Sequence, residues 1–251
     1  MIPLSTREST SIRNPFNAPV YYYARTDSTL FAARECIADG CPDGTFIYAG
    51  YQTQGRGRMS DRQWLSPAGE NLLGTLILRQ PASTDFTLRI GLAVSITLDS
   101  FLPQSVRTAV KWPNDILING RKVAGILCES AGGCVLAGVG VNILQTAFLK
   151  SIERTATSLA LAIGANKCPT LEDFIPALLE QIRSCQSRAD WNEDISRRLW
   201  MRGSAVRFMR GVQETDIIEG VLTGIAEDGA LCITTEERER RYYSGELIYN
   251  R

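Results

Sequence analysis

The sequence contains no histidine. That absence removes the commonest side-chain general base, the Ser-His and Cys-His nucleophile pairs, and every zinc site built on imidazole. Net charge is absent too, because 27 Lys and Arg balance 27 Asp and Glu. Without an overall field to draw in nucleic acid or an anionic membrane, the chain must hold any polyanion with a local cluster. No C-x-x-C pair occurs, and the seven cysteines are scattered and odd in number, which points to reduced thiols rather than a disulfide framework. No apolar run is long enough to span a bilayer. The first twenty residues, MIPLSTRESTSIRNPFNAPV, lack the apolar stretch of a secretory signal. These absences predict a cytoplasmic protein with no membrane and no DNA partner. Chemistry is left to Lys, Arg, Asp, Asn and backbone groups, a set suited to phosphoryl or nucleotidyl transfer, where catalysis is mostly positioning and charge stabilisation.

What is present is an ordinary globular composition, 44% apolar and 22% charged over 251 residues, enough for one large domain with a small one attached. Residues 1–19 are polar and proline-punctuated and read as a loose leader. VYYYA begins a strand at Val20, and Asp27-Ser28-Thr29 can cap a helix from Leu30 to Asp39 that stops at Gly40. TFIYAGY (Thr45–Tyr51) and NLLGTLILR (Asn71–Arg79) read as strands flanking a glycine-arginine loop. A largely apolar helix follows from about Thr87 to Leu102. DILI (Asp115–Ile118) and KVAGILCE (Lys122–Glu129) are joined by Asn119-Gly120, a two-residue hairpin signal that demands antiparallel pairing. VLAGVGVNI (Val135–Ile143) is a strand crowded with glycine, which often marks close approach of a ligand or another backbone. Thr170 opens a long helix with Asp173 three residues on. From residue 201 the pattern changes to short strands and turns, most simply a small β-barrel. The expected class is α+β: a mixed, mostly antiparallel sheet with packed helices over residues 20–200, and the barrel over 201–251.

Four stretches can carry chemistry. In Gln52-Thr53-Gln54-Gly55-Arg56-Gly57-Arg58, alternating Gly and Arg brings backbone N–H groups and guanidinium forks to an anion; a solvated basic loop is the plain alternative. Lys111-Trp112-Pro113-Asn114-Asp115 offers a point charge for phosphate, a carboxylate for a divalent cation and an amide, or is only a Pro-Asn-Asp turn. Lys122 lies just past the hairpin turn, where most lysines are merely solvated. Gly138-Val139-Gly140-Val141-Asn142 is by itself a weak nucleotide signal.

In combination and in this order, G-R-G-R…W, K-W-P-N-D-I, K-x-x-G-I-L-x-E and G-x-G-x-N-I resemble the biotin protein ligase family. The likeness is dense over residues 20–145, includes Asp27-Ser28-Thr29, and resumes at GVLTGIAEDGALCI and SGEL. It implies the biotin–lipoate ligase fold, related to class II aminoacyl-tRNA synthetases, with an SH3-like C-terminal domain. It also implies a two-step reaction. Biotin and Mg-ATP give biotinyl-AMP, from which a lysine of a biotin carboxyl carrier domain takes the biotin.

By matched position, Ser28, Thr29, Gln52, Gly57 and Gly125 would contact biotin. Arg56, Arg58 and Lys122 would surround the carboxylate and α-phosphate, and count with Asp115 as the catalytic set. Lys111, Asn114, Asp115 and Asn142, with Arg58, would serve ATP, Asp115 on the Mg2+ side and Asn142 at the adenine. Trp64 would be either a structural ring or a wall of the site. ATP, Mg2+ and biotin enter as substrates, with no tightly bound cofactor. A homodimer is left open, as are two alternatives for function: a lipoate-type ligase of the same fold, and a biotin-binding regulator with weak catalysis. The roughly twenty residues before the first motif are too few for the winged-helix DNA-binding domain of regulatory members. Two departures stand out. Leu30 replaces the family's usual asparagine, and GRGRMSDRQW is one residue longer than the usual loop and lacks a later glycine.

Overall fold

In the computed structural model, the described residues are 6–59, 62–210, 216–236 and 238–248. The larger of two sheets contains β1 (Glu8–Ser9), β2 (Val20–Tyr23), β3 (Phe46–Ala49), β4 (Asn71–Leu78), β5 (Thr108–Lys111), β6 (Asp115–Ile118), β7 (Arg121–Ala131) and β8 (Cys134–Asn142). Their order is β1-β2-β3-β4-β8-β7-β6-β5. Within this sheet β2 and β3 pair in parallel, joined through helix α1 (Thr29–Ala38). The other pairings are antiparallel, so the sheet is mixed and mostly antiparallel, as expected. Asn119 and Gly120 have φ of 50° and 74°, the left-handed pair that a tight hairpin between twisted strands requires.

Side-chain alternation along the strands explains the layering. Leu72, Leu76 and Leu78 of β4 and Val135, Ala137, Val139 and Val141 of β8 enter the main core. Ile77, Cys134 and Leu136, at the intervening parity, pack instead with Leu30, Ala33 and Cys36 of α1. A strand's period of two therefore gives the sheet two buried faces. One lies against α2 (Phe86–Phe101), on which α4 (Leu171–Gln186) packs, the other partly under α1. Short helices α3 (Leu159–Ile163) and α5 (Trp191–Arg197), with a 3-10 turn at Ala165–Lys167, complete the helical set among the described residues.

Two features depart from the sequence reading. The presumed loose leader is bound along the sheet edge from residue 6 onward: Glu8 and Ser9 pair with Tyr22 and Tyr21, and Asn14 Nδ2 donates to the carbonyls of Ala18 and Gly44. It covers backbone groups that an edge strand would otherwise leave open; residues 1–5 lie outside the described residues. The second is β5, whose outer edge is satisfied by Val110 N–H donating to Arg198 O and Trp200 N–H donating to Val110 O.

The C-terminal sheet contains β9 (Ala205–Met209), β10 (Ile217–Ile225), β11 (Leu231–Thr234), β12 (Glu239–Tyr242) and β13 (Glu246–Ile248), antiparallel in the order β12-β11-β10-β9-β13. The short strands and turns expected from residue 201 on form this antiparallel sheet. Its Phe208, Leu222, Leu231 and Leu247 join the same core cluster as the large sheet. Trp112 is the joint: its ring lies 5.9 Å from that of Phe208, and its Nε1–H donates to Gly229 O at 3.2 Å.

Candidate active site

A cleft opens on the α1 face of the large sheet because the strands carry glycine there. Gly125 of β7 and Gly140 of β8 are directly opposed across the ladder. With no side chains to fill that spot, the Trp64 indole descends onto it. A Cβ at Gly140 would lie 2.6 Å from the ring, and one at Gly125 3.0 Å from it. The glycine-crowded strand is thus a close approach, as its composition suggested, and the approaching group is an aromatic from the glycine-arginine loop. The cleft encloses about 510 Å³ including its open mouth.

Lys122 reaches this cleft through an irregularity. A regular strand sends residues three apart to opposite faces. Between β6 and β7, however, the register slips, Ile116 pairing with Ala124 but Leu117 with Lys122. The extra residue, Val123, turns into the core beside Ala124, and a bulge of this kind re-aims its neighbours. Lys122 is therefore swung to the side of Gly125, whose absent Cβ would lie 3.2 Å from Nζ. Its main chain is held by bonds to Thr155 and Thr157. The ammonium sits 2.6 Å from Asp115 Oδ1 and 5.5 Å from the Trp64 ring centre.

The opposite wall is the start of α1. Ser28 caps the helix, its Oγ accepting from Leu30 N–H at 3.3 Å, which leaves its own O–H to donate. Gln52 Oε1 accepts from Thr29 N–H at 2.7 Å and from Thr29 Oγ1–H at 3.1 Å, and Thr29 Oγ1 accepts from Thr75 at 2.9 Å. The N–H donor settles which end of the Gln52 amide is oxygen, so its NH2 remains as the donor. Leu30 lies with its methyl groups against Gly138 and supplies no polar contact.

The loop contributes the cations. Gly57 N–H donates to Arg62 O and Trp64 N–H to Gly55 O, a short ladder that fixes Arg56 and Arg58 at the rim. Arg56 Nη1 is 3.0 Å from Glu129 Oε1, and Arg58 Nη2 donates to Gly245 O at 3.0 Å. Arg62 forms a two-pronged pair with Glu246 at 3.2 and 3.0 Å, so the loop is fastened to the C-terminal sheet. Ser60 and Asp61, where the loop is longer than the family pattern, lie outside the described residues. Lys111 is 3% exposed and directs Nζ to Glu246 at 3.8 Å. Burial pulls its pKa down, against the opposing attraction of Glu246 and Asp115. Burial likewise works against the charge on Glu246, but the hydrogen bond and charge of Arg62, with Lys111 and Arg58, outweigh it and hold the carboxyl below its ordinary value.

Of the residues singled out in the sequence, Ser28, Thr29, Gln52, Arg56, Gly57, Arg58, Asn114, Lys122 and Gly125 line one cleft. Three do not. Asp115 stands behind Lys122 as its ion partner, Lys111 is buried beside Glu246, and Asn142 donates Nδ2–H to Thr157 O at 2.9 Å. Asn114 also spends its amide, on Ile126 O at 3.0 Å. Sequence reasoning assigned nothing to Glu129 or Glu246, although both belong to motifs it had singled out, K-x-x-G-I-L-x-E and SGEL. Among the described residues, no group of three or more His, Cys, Asp or Glu is placed to hold a metal.

A loop of arginines and a lysine above a glycine floor, with a capped helix start opposite, has the chemistry to hold a small anionic ligand. A sequence profile of the Biotin/lipoate A/B protein ligase family matches residues 22–145, and one of the Biotin protein ligase C terminal domain matches residues 203–248. The biotin–[acetyl-CoA-carboxylase] ligase of Paracoccus denitrificans is 33% identical over 223 residues, covering 84% of this chain and 92% of that protein. The bifunctional ligase/repressor BirA of Bacillus spizizenii is 30% identical over 231 residues, 88% of this chain and 70% of that one. The biotin protein ligase from Aquifex aeolicus, solved with biotin and ATP, superposes with a TM-score of 0.79 at 26% identity, covering 91% and 97% of the two chains. The chain belongs to the biotin protein ligase family, and is a ligase by that membership. No helix among the described residues is long and apolar enough to cross a membrane.

Proposed function

We propose that this cleft joins biotin to AMP and then passes the biotin to a lysine of a biotin carboxyl carrier domain. The observation that carries the reading is that Arg56 and Arg58 at the rim and Lys122 beside a glycine floor line one cleft, opposite the unspent donors of Ser28 and Gln52. Biotin's ureido group takes the donor side, and its valerate lies along Trp64 and Gly125 with the carboxylate toward Lys122. A carboxylate oxygen attacks the α-phosphorus of ATP, and pyrophosphate leaves. The two reactants are both anionic, so attack requires the cations to offset their repulsion. Mg2+ would come as part of the nucleotide substrate, and Asp115, which here pairs with Lys122, would offer it one carboxylate and so help offset phosphate charge.

In the second step the lysine amine attacks the acyl carbon and AMP leaves with the shared oxygen. A second cavity shares Arg58, Asn114, Ile126 and Leu127 with the first and runs to Gly229 and Tyr243 of the C-terminal sheet. We assign the acceptor's approach to that opening. Incubation with Mg-ATP, a carrier domain and either biotin or lipoic acid, followed by intact-mass measurement, tests the reading. The expected result is one biotinyl group on the carrier and none without ATP. Modification by lipoic acid in preference would replace biotin as the substrate, and no modification with either would reject the proposal.

A further inference from the structure

Arg56 does not reach the rim as an isolated cation. Its Nη1 lies 3.0 Å from Oε1 and 3.4 Å from Oε2 of Glu129, and Arg34 Nη2 of α1 closes on Oε2 of the same carboxylate. Glu129 faces the cleft side because it follows Gly125 and Leu127 at the strand's period of two. The three side chains thus tie together a helix, a strand and the arginine loop, which are three walls of one site. Their exposures grade outward: Glu129 18%, Arg34 38%, Arg56 53%.

The charge count gives the arrangement its meaning. A carboxylate paired with Arg56 alone would orient the guanidinium but cancel its field toward an incoming anion. Arg34 adds a second positive charge on the far oxygen, so the trio nets one positive charge while Arg56 keeps a fixed direction. We infer that Glu129 and Arg34 are positioning residues for Arg56, Glu129 holding the guanidinium at the rim and Arg34 restoring the charge that Glu129 removes. The inference rests on the proposal above that the cleft receives a carboxylate and a nucleotide.

Biotin-dependent pyrophosphate release from the full chain tests it, with KM and kcat measured for Glu129→Gln, Arg34→Gln, Arg34→Lys and the Arg34→Gln/Glu129→Gln pair. Arg34→Gln should raise the KM for biotin by about tenfold, the scale of one screened charge at several ångströms, and the effect should shrink in high salt. Arg34→Lys should keep most of the parent KM. Glu129→Gln should lower the KM for biotin, since charge is gained, and lower kcat severalfold, since direction is lost. The pair should recover most of the KM lost in Arg34→Gln, because the net charge returns to one, while kcat stays low. A purely structural ion pair would instead make the double variant no better than Arg34→Gln and would lower thermal stability in step with activity. That result, or an unchanged KM in every variant, would overturn the inference. A parent protein inert toward biotin would overturn the underlying reading, and this inference with it.

Discussion

Replacing Lys122 by alanine separates charge from packing more cleanly than any other change in the cleft. The side chain pairs with Asp115 at 2.6 Å, and the two partners are 34% and 21% exposed. A pair this open to water contributes about 1 kcal/mol or less, which for a chain of this length moves the melting temperature by roughly 2–4 °C. The backbone bonds to Thr155 and Thr157 remain in the variant, so the strand and its bulge should persist. Catalysis is affected on another scale. A unit charge about 4 Å from a phosphate oxygen, at an effective dielectric near 20, contributes about 4 kcal/mol. If most of that appears as charge builds on the α-phosphate, adenylate formation falls by about three orders of magnitude. Rapid-quench measurement of pyrophosphate release at saturating biotin and Mg-ATP, with a thermal melt on the same preparation, checks both scales. A rate within about tenfold of the parent would refute the electrostatic role. A melting temperature lowered by roughly 10 °C or more would show that the side chain holds the fold instead.

Arg58→Ala, which loses the bond to Gly245 O, should retain the adenylate less well, and self-biotinylation above the parent level, read by mass spectrometry, is the expected sign. Glu246 has a folded pKa below its ordinary 4.5, so its stabilisation is fully present above that value and is lost as pH falls through the lower folded one. Melting temperatures of the parent and Glu246→Gln should therefore differ at pH 7 and draw together as the pH falls; a gap that does not narrow in acid would contradict the ionic account. Transfer from preformed biotinyl-AMP to a histidine-free acceptor should rise from about pH 6 to 9, because a free lysine of pKa near 10.4 is rarely neutral at pH 7. Single-turnover rates should show no inflection near 6.5, since the ligase has no histidine to titrate there; a clear step at that pH would mean another group takes the proton.

The chain's local grammar was sufficient for the elements that depend on near neighbours. Asn119-Gly120 predicted the β6–β7 hairpin because a two-residue turn needs two left-handed residues, and both adopt that region. Ser28 and Thr170 cap their helices as composition suggested, and DILI spans all of β6. The glycine-arginine loop, KWPND and Lys122 each allowed a plainer reading alone, and stood out only through the resemblance that their order and combination carry. What required tertiary structure is every relation between distant segments. That Lys122 shares a face with Gly125 follows from a register slip against β6, which no period along β7 encodes. That Lys111 and Asn142 lie off the cleft wall depends on Glu246 and Thr157, which fall 135 and 15 residues further along the chain. The leader lacked any pattern of its own, yet β2 supplied it a partner edge. Local sequence determines which conformations each segment can hold, whereas partners for its charges and open backbone groups exist only once burial has brought remote segments together.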